Sequence, residues 1–218
     1  MEKVLTISKD YLLVPVKKEA EKRLLTFWCG TEKIYEFEIS CVDTEETYPE
    51  DFCAVLPVKK WKGQKIRIEG DVCESLLSAV REKESAVREN SGYIHFVPET
   101  GWINDPNGLI YSEGKYHLYF QHNPVDVNWG NMSWGHAEST DLLHWVQKED
   151  VMFPDENGTM FSGCAILNER GLLGLPKDTP VFFYTVAGNA SEWSKGKKFV
   201  QRIAYSTDQG ETLTKVEE

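Results

Sequence analysis

The chain has 218 residues, with 24 Lys and Arg against 35 Asp and Glu, a formal net charge of −11. Hydrophobic residues make up 41% and charged residues 27%, which is globular composition and argues against wholesale disorder. So acidic a chain has no general pull toward nucleic acid or anionic membrane, and no apolar run is long enough to span a bilayer. The opening MEKVLTISKDY lacks the apolar core of a secretory signal, so a cytoplasmic location is expected. The five cysteines, Cys29, Cys41, Cys53, Cys73 and Cys164, form no Cys-x-x-Cys pair and read as free thiols in a reducing compartment. On that reading the sequons at Asn131, Asn157 and Asn189 carry no weight.

Residues 1–70 read as a β-sandwich-like domain. Tyr35 to Ile39 alternates apolar and charged residues, as a half-buried strand does, and Ile66 to Ile68 repeats the pattern. Val4–Ile7, Tyr11–Val16 and Leu24–Cys29 are further strands, with a turn at Gly30-Thr31. Asp43 to Glu50 reads as a solvated acidic loop. Residues 71–92 read as a helical linker. Asp71 and Glu74 have capping-box spacing, and Val72, Leu76, Val80 and Val87 form an apolar stripe against a wet side of Arg81 to Glu84 and Arg88-Glu89.

From Tyr93 onward short strands and turns return. Ala137-Glu-Ser-Thr-Asp141 is echoed by Ala204-Tyr-Ser-Thr-Asp208, 67 residues later. Each copy has four strand candidates. The first set is Leu109–Tyr111, Tyr116–Gln121, Trp134–Ser139 and His144–Val146. The second is Phe161–Leu167, Val181–Val186, Arg202–Ser206 and Thr212–Val216. Repeated four-stranded sheets predict propeller blades, and residues 93–218 suffice for about two. Two blades alone would leave Val181, Phe182, Phe183 and Tyr184 bordering solvent, so a homo-oligomer closing the open faces is expected.

Three segments carry chemistry. The first is WINDPNG, Trp102 to Gly108. Asp105-Pro106-Asn107-Gly108 by itself is β-turn sequence. Flanked by Trp102 and preceded by the Asn104 amide, Asp105 is also a candidate fixed nucleophile. The second runs from Tyr116 to Pro124 and on from Asn128 to Ala137. It presents Gln121 as an amide for sugar hydroxyls and Trp129 and Trp134 as flat aromatic faces. The third, Phe161-Ser162-Gly163-Cys164-Ala165-Ile166, reads as a strand with a small-residue kink. The histidines His95, His117, His122, His136 and His144 show no metal-ligand spacing along the chain, so no metal is expected. No Gly-rich phosphate loop is present, and no cofactor is expected.

Together these segments resemble glycoside hydrolase family 32, the β-fructosidases that include invertase, levanase and inulinase. WINDPNG is similar to the family's nucleophile motif, with Ile103 as a variant. YHLYFQHNP (116–124) and NWGNMSWGHAESTDLLHW (128–145) resemble its next block. FSGCAI (161–166) resembles its F-S-G-S block, with Cys164 where Ser is usual, and QRIAYSTDQGETLTK (201–215) resembles second-blade sequence. More loosely, residues 1–90 resemble a small β domain and helix that precede the propeller in some members.

The resemblance implies an all-β chain: a β-sandwich-like domain, a linker helix, and the first two or so blades of a five-bladed propeller. It implies retaining hydrolysis of terminal β-fructosyl bonds in sucrose, levan or inulin, with Asp105 as nucleophile. Trp102, Asn104, Gln121, Trp129, Phe161 and Ser162 would bind substrate. The family's R-D-P motif and its Glu-Cys acid/base motif do not occur in these 218 residues. The chain is therefore expected to be inactive alone, and a non-catalytic fructan-binding or assembly module is the alternative reading.

Overall fold

The computed structural model describes every residue except 86, 87, 91–94, 172, 217 and 218, together with the side chains of 88–90. Among the described residues the chain is all-β apart from two short helical turns, and it divides into two compact units. The first comprises residues 1–86, 100–102 and 123–131. The second comprises 87–99, 103–122 and 132–218. Among the described residues no helix is long and apolar enough to cross a membrane.

In the first unit, β1 (Glu2–Thr6), β6 (Lys65–Gly70), β3 (Lys22–Cys29) and β4 (Glu32–Ser40) form one antiparallel sheet in that order. A second sheet runs β5 (Phe52–Pro57), β2 (Tyr11–Val16), β7 (Arg81–Lys83). The strand residues read from the sequence supply most of the core: Leu12, Leu25, Phe27, Phe37, Ile39, Ile66 and Ile68 are all buried, and β5 adds Leu56. Tyr35 stacks on Phe37 at 5.6 Å and donates its hydroxyl to the Pro57 carbonyl at 2.7 Å, tying β4 to β5. A buried Asp126 accepts hydrogen bonds from the Ser40 hydroxyl and from the Asn128 backbone and side-chain amides. Asn131 bridges both backbone groups of Glu38, so residues 123–131 belong physically to this unit.

The helix expected across 71–92 is one short segment, α1 (Glu74–Ala79). Its N-cap is Cys73 rather than Asp71, and no side chain caps it. Leu76 and Leu77 are buried, while Val80 already has extended backbone. The chain then forms β7, whose Lys83 pairs with Tyr11, and later β8 (Arg88–Asn90). Pairing with an available strand overrides a helical period of only two turns. Val87, the last residue of the expected stripe, lies outside the described residues.

The second unit holds two sheets. One is ordered β8, β12 (Trp145–Gln147), β11 (Ser133–Ser139), β10 (Lys115–Asn123), β9 (Trp102–Ser112). The other is ordered β13 (Thr159–Leu167), β14 (Pro180–Ala187), β15 (Val200–Tyr205), β16 (Thr214–Lys215). Their shared core is Tyr119, Trp134, Met152, Met160, Phe182, Tyr184, Val186 and Ala204. Trp134 meets Phe182 and Tyr184 edge-on at 6.3 and 6.1 Å. This packing corrects the expectation for β14. Val181, Phe182 and Tyr184 are at most 1% exposed, and only Phe183, at 37%, borders solvent.

The 67-residue echo has a structural meaning. Ser139 and Ser206 end β11 and follow β15, and each donates its hydroxyl to the Asp two positions on, at 3.1 and 2.8 Å. Asp141 then accepts the amides of Leu143 and His144, and Asp208 accepts the amide and hydroxyl of Thr212. Each copy is a side-chain-templated turn that reverses the chain into the last strand of its sheet.

Candidate active site

Asp105 lies within an extended strand rather than on the β-turn its sequence suggests. The whole of Trp102–Ser112 is β9, an edge strand of its sheet. That placement explains Pro106. Proline has no amide to give a ladder and is accommodated at an edge. Gly108, at φ +49°, is the one residue of the motif that needs left-handed backbone. A Cβ there would press on Tyr119 and Phe182 at 3.2–3.3 Å.

Across from β9, strand β13 carries a bulge. Met160 pairs with Val186 and Gly163 with Tyr184, so Phe161 and Ser162 together face one residue of β14. A bulge re-aims side chains locally, and here Ser162 donates its hydroxyl to Asp105 Oδ2 at 2.6 Å. One residue on, the Gly163 amide donates to Asn107 Oδ1 at 3.2 Å. Gly163 leaves no room for a side chain: an added Cβ would sit 2.2 Å from the Phe183 carbonyl oxygen and 2.9 Å from the Trp134 ring. The Trp134 indole donates to the Phe161 carbonyl at 3.0 Å, fixing the bulge from the core side. Phe161 meets Phe199 edge-on at 5.8 Å.

The result is a solvent-exposed carboxylate, Asp105, held by a hydroxyl on a rigid neighbouring strand. Asn104 is exposed beside it in sequence. Gln121 is buried on β10, opposite Trp134 in the ladder, and its Nε2 has no hydrogen-bond partner among the described residues. Asn107 Nδ2 is likewise buried and unmatched. Trp102, half-buried at the start of β9, and Trp129, 55% exposed, belong to the first unit. Sequence reasoning did not single out Asn107, although it lies in the same motif. Its role in receiving the Gly163 amide depends on a contact 56 residues away.

The sequence also missed a second cluster. His117 on β10 and His136 and Glu138 on β11 come together because the ladder pairs His117 with Glu138 and Tyr119 with His136. His117 Nδ1 lies 3.1 Å from His136 Nε2 and 3.7 Å from Glu138 Oε1. All three are buried. Burial pushes the His136 pKa down to about 3, and the neighbouring His117, Lys148 and Lys115 push the same way. His117 is lowered too, again chiefly by burial.

The chain belongs to the glycosyl hydrolases of family 32: the model of that family's N-terminal domain matches residues 95–218. Over 124 residues it is 44% identical to a levanase of Bacillus subtilis (strain 168), covering 56% of this chain and 17% of that protein. It is 41% identical over 137 residues to an extracellular exo-inulinase of Aspergillus awamori, covering 56% and 26%. The structure of a β-fructofuranosidase from Schwanniomyces occidentalis, complexed with fructosyl-erythritol, superposes with a TM-score of 0.51 at 37% identity. That match covers 60% of this chain and 26% of the other. The chain thus spans 17–26% of the length of these relatives.

Proposed function

We propose that residues 93–218 form the nucleophile-bearing part of a retaining β-fructosidase site acting on sucrose, levan or inulin, and that their two sheets are the first two blades of a five-bladed propeller. The observation that carries this reading is the hydrogen bond of Ser162 to Asp105. A nucleophilic carboxylate must be fixed in direction and reachable. A hydroxyl at 2.6 Å on a bulged strand meets the first need, and the exposure of Asp105 meets the second.

In this proposal the Asp105 oxygen not engaged by Ser162 attacks the anomeric carbon as the glycosidic C–O bond breaks and the leaving oxygen takes a proton from the acid. Water, deprotonated by the same group, then hydrolyses the fructosyl ester. Asn104, Gln121 and Ser162 bind sugar hydroxyls and Phe161 packs on the ring, while Trp102 and Trp129 keep only the substrate-binding role that the family resemblance implies. The unmatched Gln121 amide supports such a role. A buried donor without a partner costs about 1–3 kcal/mol, and a ligand hydroxyl would recover that. Retention needs a second carboxyl group about 5–5.5 Å from the first, serving as acid and then base. No residue among these 218 is assigned that part, since the Glu-Cys motif does not occur in them.

The polypeptide alone is therefore expected to release fructose from sucrose, levan and inulin no faster than background, because general acid catalysis is worth about 10²–10⁴-fold. Turnover that disappears in Asp105→Ala would overturn the assignment of the acid elsewhere. Retardation in gels containing levan or inulin, weakened in Gln121→Ala, tests the binding half of the reading separately.

A further inference from the structure

We propose that His117, His136 and Glu138 form a binding site for one divalent transition-metal ion of the zinc type, inside the first sheet of the second unit and separate from Asp105. The donor set is two imidazoles and one carboxylate, a combination zinc accepts. Its shape also fits. Zinc–nitrogen bonds of about 2.0–2.1 Å in a tetrahedron place ligand atoms about 3.3 Å apart. The observed separations from His117 Nδ1 are 3.1 and 3.7 Å, and all three donor atoms lie within 4.8 Å of one another. The two separations from His117 Nδ1 are within a few tenths of an ångström of that spacing, and Glu138, a flexible side chain, closes the rest.

The surroundings orient the ligands. His117 Nδ1 faces the cluster, and the ring also hydrogen-bonds the Ser112 backbone; with the proton on the other nitrogen, Nδ1 offers its lone pair. A backbone carbonyl behind a histidine is the usual support for a metal ligand. Glu138 is held through Oε2 by Lys115 at 2.8 Å, with Lys148 at 3.7 Å, so Oε1 is the oxygen turned to the imidazoles. The lysines oppose a cation, but Lys148 is itself paired with Glu211 at 2.6 Å. Lys115 pairs with Glu138 and Lys148 with Glu211, so the two lysines and two glutamates, Glu138 included, sum to zero. Tyr119 stacks flat on His136 at 4.5 Å and donates to the Gly210 carbonyl. A Cβ on Gly210 would lie 2.3 Å from the Tyr119 hydroxyl and 3.2 Å from His117 Nδ1, so the turn after β15 closes over the cluster. His136 Nδ1 is buried without a partner. It can take the proton that His136 Nε2 gives up when that nitrogen turns to the metal.

The test is titration of the chelator-stripped chain with zinc chloride, followed by calorimetry and thermal melting, and with cobalt chloride, followed by visible absorption. The expected result is one ion per chain, a raised melting midpoint, and the intense visible bands of tetrahedral cobalt without a sulfur charge-transfer band. Binding should fall at least tenfold in Glu138→Gln, which preserves shape, and in His136→Gln, while His144→Gln at an exposed site leaves it unchanged. If the buried variants fail to fold, the cobalt spectrum of the unaltered chain decides. Octahedral cobalt, a sulfur band, no saturable binding, or binding that survives Glu138→Gln overturns the proposal.

Discussion

The buried histidine pair makes stability depend on pH in a window where carboxylates contribute little. His136 has an ordinary pKa near 6.5 when unfolded and about 3 in the folded chain. The unfolded state therefore binds more protons between those values, and stability must fall as pH drops below 6.5. Above 6.5 the contribution is complete. From pH 7 to pH 5 the loss from this residue is about 2 kcal/mol, with a limiting slope of about 1.4 kcal/mol per pH unit. The groups that set this are His117 and Lys115 on β10, Lys148 after β12, and Asp208 in the turn after β15, the last opposing the others. His117, lowered in the same direction, adds to the loss. Urea unfolding of the chain between pH 5 and 7.5, with chelator present, measures it. In His136→Gln the slope should drop by about one proton over pH 5–6.5. An unchanged slope in a folded His136→Gln variant would refute the reasoning, because it would place the titrating group elsewhere.

Other outcomes follow from single contacts. Gly163→Ala sets a methyl group against backbone of β14 and should cost about 1–3 kcal/mol or more, read as a lower urea midpoint. Asp126→Ala removes the acceptor shared by Ser40 and Asn128 and should cost about 1–3 kcal/mol in the same assay. Partial burial works against ionisation of Asp208, but hydrogen bonds from Thr212 and Ser206 outweigh it and hold the carboxyl below its usual range. Its contribution should be complete above about pH 4 and fade below, and Asp208→Asn should lessen acid sensitivity there.

Tyr35 to Ile39, where apolar and charged residues alternate, lies inside β4, and the apolar run Tyr11–Val16 is bounded as expected. β5 follows directly on the acidic stretch read as a loop, ends in Pro57 and carries the small Cys53 and Ala54, so its strand signal is weak and pairing with β2 identifies it. Arg81 to Lys83 reads as the wet side of a helix because a short strand with two exposed residues in three offers no apolar signal. At the candidate site, the motif located Asp105 and Ser162 but said nothing of their contact, which depends on a bulge 57 residues away. The cluster of His117, His136 and Glu138 escaped for a similar reason. Spacing along a chain detects ligands on one helix or loop, whereas His117 and His136 meet diagonally across a ladder.

The bulge at Phe161 and Ser162 also limits how this site could be altered. Residues up to Met160 and residues from Gly163 onward keep separate registers with β14, joined by the two-for-one step. Removing either residue would erase the step while the pairs on both sides, Met160 with Val186 and Gly163 with Tyr184, stayed as they are, and the hydroxyl aimed at Asp105 would lose its place. Adding one would widen the bulge and re-aim Ser162. Length in this stretch is thus locked, while side chains on either strand can be exchanged one at a time. Any retuning of what Asp105 meets must proceed by substitution in β9 and β13, with insertions confined to the connecting loops.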